Sequence, residues 1–324
     1  MNVANLFASV QAELEQVEAQ LHTLVQSPVS MITDVGRHLL TAGGKRLRPA
    51  LYLLCAKNGS TGTLPPEAVP LAAAIEMIHM ATLIHDDVID DAPIRRGLPT
   101  ANICWGNRRA VLAGDYLFAA AFNLAALHAG NETLRILTDV VRSICEGEIL
   151  QSQECFLIDI TEENYLRRTA KKTADFIAAS CRLGGMSAKL PADAVEALAQ
   201  YGHALGMAFQ ITDDILDVTA SAHQLGKPVG NDLRQGIITL PVIYTLRSDS
   251  QGPKLASLLN QKTFSEAEVT AALDLVREAG AIDYSYKYVQ SYLDLARRSV
   301  PSCLAADIRE ALLSMADYIA ARSY

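Results

Sequence analysis

The chain has 324 residues, half of them apolar, and a formal net charge of -8 at pH 7, so it can bury a large core and lacks the basic runs that would make nucleic acid a main partner. Its start, Met1-Asn2-Val3-Ala4-Asn5, has neither the basic residues nor the apolar run of a signal peptide. The six cysteines, Cys55, Cys104, Cys145, Cys155, Cys181 and Cys303, show no paired metal-ligand spacing, so a cytoplasmic protein with reduced thiols is expected.

Ala, Leu, Glu and Arg are abundant and apolar residues recur at spacings of three and four, which predicts an all-α chain without strands. No Gly/Ser-rich linker or composition break interrupts it, so 1–324 reads as one domain. Gly43-Gly44 stops one helix, and Pro49 fits the first turn of the next. Pro70 and Pro93 bracket a helix that carries an acidic motif, while 93–105 and 219–241, rich in Pro, Gly and polar residues, read as loops after that motif and its repeat. Uncharged runs at 116–131 and 197–212 read as core helices, too short and too polar to span a bilayer. Ser265 and Glu268 have capping-box spacing, and the last helices run to about Ala321.

The repeated motif is Asp86-Asp87-Val88-Ile89-Asp90 and Asp213-Asp214-Ile215-Leu216-Asp217. First and fifth positions share a helix face, so Asp86 with Asp90, and Asp213 with Asp217, project together, Asp87 and Asp214 lying to one side. Gathered carboxylates need a positive partner. An all-oxygen donor set suits Mg²⁺, which keeps waters and bridges to substrate phosphates. A solvated acidic turn is the plain alternative for either motif alone; recurrence after the apolar stretches 80–84 and 207–211 favours the metal.

Cations accompany the acids. Lys45, Arg46 and Arg48 surround a Gly turn that opens a helix, a good anion site, although Gly-Gly can also be simply a helix stop. Arg95-Arg96-Gly97, Lys171-Lys172-Thr173 and Lys227-Pro228 complete the set, which points to two polyanionic substrates. His79 lies two turns before Asp86, and Gln210 one turn before Asp213; by themselves both read as satisfied core residues, and Gly202 and Gly206 as sites of close helix packing.

In order and combination these elements resemble the trans-type isoprenyl diphosphate synthases from Gly43 to the C-terminal helix. The match runs through 43–49, 83–91 with Arg95-Arg96-Gly97, Lys172-Thr173-Ala174, 209–217 and Gly226-Lys227-Pro228. Within that family the chain is most similar to the heptaprenyl diphosphate synthase component II type, including Gly236-x-x-Thr239-Leu240-Pro241 and the ending Tyr318-Ile319. The resemblance implies a helical bundle around a deep central cavity, with Asp86, Asp90 and Asp213 as the main Mg²⁺ ligands and Asp87, Asp214 and Asp217 in support. It assigns Lys45, Arg48, His79 and Arg96 to isopentenyl diphosphate, and Arg95, Lys172, Thr173, Gln210 and Lys227 to the allylic diphosphate. Asp86, Asp90, Lys172, Asp213 and Lys227 are then the candidates for driving ionisation. Ile237 stands where short-chain relatives commonly carry Lys, and marks the long-chain subgroup.

Thr82 and Ala81 precede Asp86 by four and five residues, about 6 to 8 Å along a helix at ~1.5 Å per residue. Neither is aromatic, so a growing tail has room towards Ile78, Met77 and Ala74, with Phe118 or Phe122 as a possible tunnel end; otherwise Ala81 merely allows helix packing. The expected product is a heptaprenyl to octaprenyl diphosphate for quinone side chains, released with peripheral membrane contact. Open alternatives are a shorter-chain synthase and the catalytic subunit of a heteromer that is inactive without its partner, whereas the cation set at 43–49 with Arg96 and the second Asp-rich motif count against a terpene cyclase, and the intact acidic motifs against a non-catalytic subunit. The assembly is either a homodimer or a heteromer with a small dissimilar subunit.

Overall fold

Long Ala- and Leu-rich runs without internal Pro set the architecture, and helices follow one another almost without interruption. The computed structural model describes residues 6–57, 63–219 and 229–321, which fall into two compact units.

The first unit comprises Met1–Val141, Ala179–Ala199 and Pro301–Leu312. It holds α1 (Gln11–Leu24), α2 (Ser30–Thr41), α3 (Leu47–Ala56), α4 (Ala68–Ile89), β1 (Ile94–Arg95), β2 (Leu98–Pro99), α5 (Ala101–Trp105) and α6 (Asn107–His128). Helix α4 is apolar on every face and packs against α1, α3 and α6, as a helix buried all round must. By length and composition α4 and α6 are long and apolar enough to cross a membrane, contrary to the reading from charge-free runs; α4, however, is mostly buried within the protein and carries Glu76, His79 and two aspartates, Asp86 and Asp87. Opposite α4, Gly114 of α6 leaves space for the His85 ring: a Cβ at 114 would stand 2.3 Å from His85 Nε2. The same ring lies 3.1 Å from the Val111 carbonyl oxygen and 5.6 Å, centroid to centroid, from Phe118.

The segment 93–105 is not the loop expected. Arg95 pairs with Leu98 across an antiparallel hairpin, and the two turn residues, Arg96 and Gly97, have φ of 52° and 80°. Two positive φ values in a two-residue connection make a turn whose twist matches the strands. Arg occupies a place usually held by Asn or Asp, which is why the strands were not foreseen.

The second unit comprises Arg142–Ala178, Gln200–Val300 and Leu313–Tyr324. In chain order the remaining elements are α7 (Asn131–Glu154), α8 (Glu162–Thr169), a π-helical turn (Ala170–Ala174), α9 (Asp175–Ser187), α10 (Ala192–Thr219), α11 (Asn231–Arg234), α12 (Leu240–Leu246), α13 (Gly252–Leu259), α14 (Glu266–Glu278), α15 (Ala281–Arg298) and α16 (Ala306–Ala321). The Ser265–Glu268 capping box forms as expected. The expected loop 219–241 is partly helical, in α11 and at the start of α12, where Pro241 needs no N–H; residues 220–228 are outside the described set. Gly236, at φ 75°, is required twice over, since a Cβ there would fall 2.3 Å from the Phe156 ring.

None of the six cysteines is in a disulfide, but only Cys55 and Cys181 are buried; Cys104 and Cys145 are exposed on helices, and Cys303 is exposed in the turn before α16.

Candidate active site

In the first unit, helix α2 ends through Gly43, at φ 68°, and the chain turns into α3 through Arg46 in the left-handed region, φ 48° and ψ 36°. This conformation is costly for a side chain with a Cβ. Ion pairs hold it: Arg46 Nε and Nη2 donate to Glu18 at 2.9 Å each, and Nη1 donates to Glu76 Oε1 at 2.8 Å. Arg46 is thus a fastening between α1 and α4, while Lys45 beside it is exposed.

The β1–β2 hairpin closes onto this turn. Arg96 packs against Gly44, where a Cβ would lie 2.8 Å from its Nη1. Arg95 Nε donates to Asp87 Oδ1 at 2.6 Å, so the buried second aspartate of the motif is already engaged by protein. Burial raises the Asp87 pKa against the opposing pull of Arg95. Asp90 lies just past α4, its N–H bonded to the Asp86 carbonyl at 2.8 Å, which keeps these two residues in helical register.

His79 feels the charge of both Arg48 and Arg96. Burial brings the Arg48 pKa down to about 10, with Glu76 and Asp86 opposing. His79 is held well below its ordinary value, first by burial and then by Arg48 and Arg96. Its imidazole is therefore neutral at pH 7 and able both to donate and to accept a hydrogen bond. The four residues that the resemblance assigned to one diphosphate, Lys45, Arg48, His79 and Arg96, thus gather in one unit, together with Glu76, which the sequence reading missed.

Below the motif, Met77, Ile78, Ala81 and Thr82 are buried, and the Thr82 hydroxyl is turned back to the His79 carbonyl at 2.8 Å. Phe118 lies beside His85, at the level of the aspartates, and stacks on Phe122 at 6.5 Å.

In the second unit, the π-helical turn presents Lys171, Lys172 and Thr173. Such bulges widen a helix locally and recur at functional sites. Two glycines enclose this one: a Cβ at Gly147 would meet the Lys172 nitrogen at 3.0 Å, and one at Gly206 would meet the Ala174 Cα at 2.7 Å. Gly206 is thus a close-packing residue, as expected. Lys172 Nζ lies 2.6 Å from Glu148. Thr173 donates to Gln210 at 3.0 Å, Gln210 donates to Asp214 Oδ1 at 2.9 Å, and the Tyr165 phenol donates to Asp214 Oδ2 at 2.7 Å. Both oxygens of Asp214 therefore have protein partners, and burial still pushes its pKa up to about 6 against those bonds.

Asp217 is buried and accepts the Asp232 N–H at 3.1 Å. Arg168, also buried, bridges Glu154 at 2.6 Å and the Ile238 carbonyl at 2.8 Å, tying α7 and α8 to the segment that begins at Gly236. Ile237, partly buried there, donates its N–H to the Asp232 carbonyl at 2.8 Å. Lys227 lies outside the described residues.

Both motifs therefore commit their second aspartate to protein donors. No group of three or more metal-type side chains assembles among the described residues. Oxygen donors offered one or two at a time fit Mg²⁺, which fills its remaining positions with water and phosphate rather than from an all-protein cage.

The polyprenyl synthetase family model matches residues 29–276. The chain belongs to that family. A heptaprenyl diphosphate synthase component 2 from Geobacillus stearothermophilus is 40% identical over 324 residues, covering 100% of both chains. A decaprenyl diphosphate synthase structure from Rhodobacter capsulatus superposes with a TM-score of 0.92 at 35% identity, again over 100% of both chains. A polyprenyl synthase from Caulobacter crescentus, solved with calcium and isoprenyl diphosphate, gives 0.91 at 35% identity, covering 100% of this chain and 98% of the other.

As a polyprenyl synthetase the protein is a prenyltransferase with the family's all-α isoprenoid synthase fold. Several residues that organise its site carry faint sequence signals. Glu76 is a carboxylate inside an apolar run, one turn before His79, and that was legible. Tyr165, Glu148 and Arg168 lie in ordinary amphipathic stretches with nothing to set them apart.

Proposed function

We propose that this polyprenyl synthetase condenses isopentenyl diphosphate stepwise onto a farnesyl- or geranyl-type diphosphate, making an all-trans heptaprenyl to octaprenyl diphosphate for quinone side chains. The observation that carries the reading is the gathering of Arg48, Arg96 and a neutral His79 beside the first acidic motif. Lys45, Arg48, His79 and Arg96 hold the diphosphate of isopentenyl diphosphate. Lys172, Thr173, Gln210, Arg95 and Lys227 serve the allylic diphosphate, Gln210 acting partly by fixing Asp214.

Asp86, Asp90 and Asp213 are the main ligands for Mg²⁺, with Asp87, Asp214 and Asp217 in support. When bound, the metal stabilises negative charge on the departing diphosphate. The cationic side chains share that task, and fixed charges in a water-poor site need little reorganisation as the allylic C1–O bond breaks. The C4 alkene carbon of isopentenyl diphosphate then bonds to the allylic carbon. Loss of a C2 proton to the departed diphosphate restores a double bond. Apolar residues of α4 keep water from the cation, and Ala81 and Thr82 leave room for the tail. One synthase domain, spanning both units, agrees with a family match that runs through segments of each.

A second reading concerns assembly. The similarity to a protein named component 2 favours a catalytic subunit that works with a small dissimilar partner, rather than a homodimer. In either case the protein is cytoplasmic, touching the membrane peripherally to release its product.

The test is to incubate the purified chain with Mg²⁺, farnesyl diphosphate and labelled isopentenyl diphosphate and to size the dephosphorylated products. A long polyprenol that disappears with EDTA or in Asp86→Ala supports a self-sufficient synthase. A folded wild type that makes nothing rejects that version and directs the search to a partner subunit.

A further inference from the structure

Glu76 has no part in the reaction described above. It is 3% exposed and sits in the apolar sequence Ile75-Glu76-Met77, where a carboxylate is rarely found unless paired. One oxygen accepts from Arg46; the other, Oε2, is buried with no hydrogen-bond partner among the described residues. A lone buried acid escapes its desolvation cost by taking up a proton. Here Arg46, Arg48 and Arg96 oppose that. The influence is mutual: Glu76 is the strongest charge favouring ionised Arg48, ahead of Asp86, and the strongest favouring ionised Arg96, ahead of Asp87. Without it, Arg46 and Arg95 repel Arg96, and burial disfavours the charge on Arg48.

We propose that Glu76 is a positioning residue: a resident counter-ion that keeps Arg48 and Arg96 gathered beside His79 before isopentenyl diphosphate arrives and, through Arg46, fixes the turn that carries Lys45. This rests on the assignment of Lys45, Arg48, His79 and Arg96 to that substrate. The alternative has the opposite sign. If Glu76 were only a negative charge near an anion site, its removal would tighten binding of a diphosphate.

The experiment measures KM for isopentenyl diphosphate and for farnesyl diphosphate separately in wild type, Glu76→Gln and Glu76→Asp, with thermal melting of each. Glu76→Gln keeps the shape and an acceptor for Arg46 but removes the charge. The expected result is a KM for isopentenyl diphosphate raised about tenfold, with that for farnesyl diphosphate moving less than about twofold. Glu76→Asp, which keeps the charge on a shorter arm, is expected to fall between, at about threefold. An unchanged or lowered KM for isopentenyl diphosphate in Glu76→Gln overturns the proposal. If that variant does not fold, an unchanged KM in a normally melting Glu76→Asp overturns it. A working wild type with unmoved KM values removes only the role of Glu76, whereas a wild type that consumes neither substrate removes the functional reading and this proposal with it.

Discussion

The buried phenol of Tyr165 donates to Oδ2 of Asp214 at 2.7 Å, while Gln210 fills the other oxygen at 2.9 Å. A carboxylate pushed up to about 6 by burial depends on these donors to remain ionised. Tyr165→Phe removes one of them, and a buried acceptor losing its partner costs about 1–3 kcal/mol. Urea denaturation of the two proteins reads that loss, and turnover is expected to fall with it because Asp214 no longer holds its orientation.

Asp214 also sets a pH dependence. Its pKa is raised above the ordinary 3.8 to about 6, so between those values the folded state holds a proton that the unfolded state has lost. The contribution of this group to stability is full below the unfolded pKa and is lost as pH rises towards 6. In metal-free protein, Asp214→Asn is therefore expected to abolish part of a stability decrease between about pH 4 and pH 6. Identical pH–stability curves for the two proteins reject the assignment.

His85, next to the acidic motif, packs where Gly114 has no side chain. Gly114→Ala would place a Cβ 2.3 Å from the imidazole and is expected to cost about 1–3 kcal/mol through overpacking. It should also lower turnover by displacing α4 near Asp86. Adding His85→Ala should restore much of the stability, and a double-mutant cycle without coupling rejects the steric account.

Ala81 decides between a tunnel and a packed helix. If the space beyond it is open, Ala81→Phe folds with little loss and shortens the product. If it is filled by protein, the same change costs about 1–3 kcal/mol and leaves product length alone. Product sizing and thermal melting of one variant separate the two.

Arg168 and Glu154 form a buried ion pair that also holds the Ile238 carbonyl. Removing one partner leaves an uncompensated buried charge, so Arg168→Met should cost about 3–5 kcal/mol. Exchanging both partners, as in Arg168→Met with Glu154→Leu, should recover much of it.

The sequence by itself determined the helical class, the turn at Gly43, the capping box at Ser265 and the identity of the residues that carry charge. These are local properties: propensity, periodicity, cap chemistry and motif spacing act within a few residues. The tertiary structure decided which of those charges are committed. Glu18 and Glu76 reach Arg46 from 28 and 30 residues away, Tyr165 reaches Asp214 from 49, and Arg95 takes Asp87 through a hairpin that Arg96 concealed. Whether a buried carboxylate is a ligand, a counter-ion or a fastening depends on the donors that packing brings to it, because desolvation and pairing are set by the whole surrounding shell and not by neighbours in the chain.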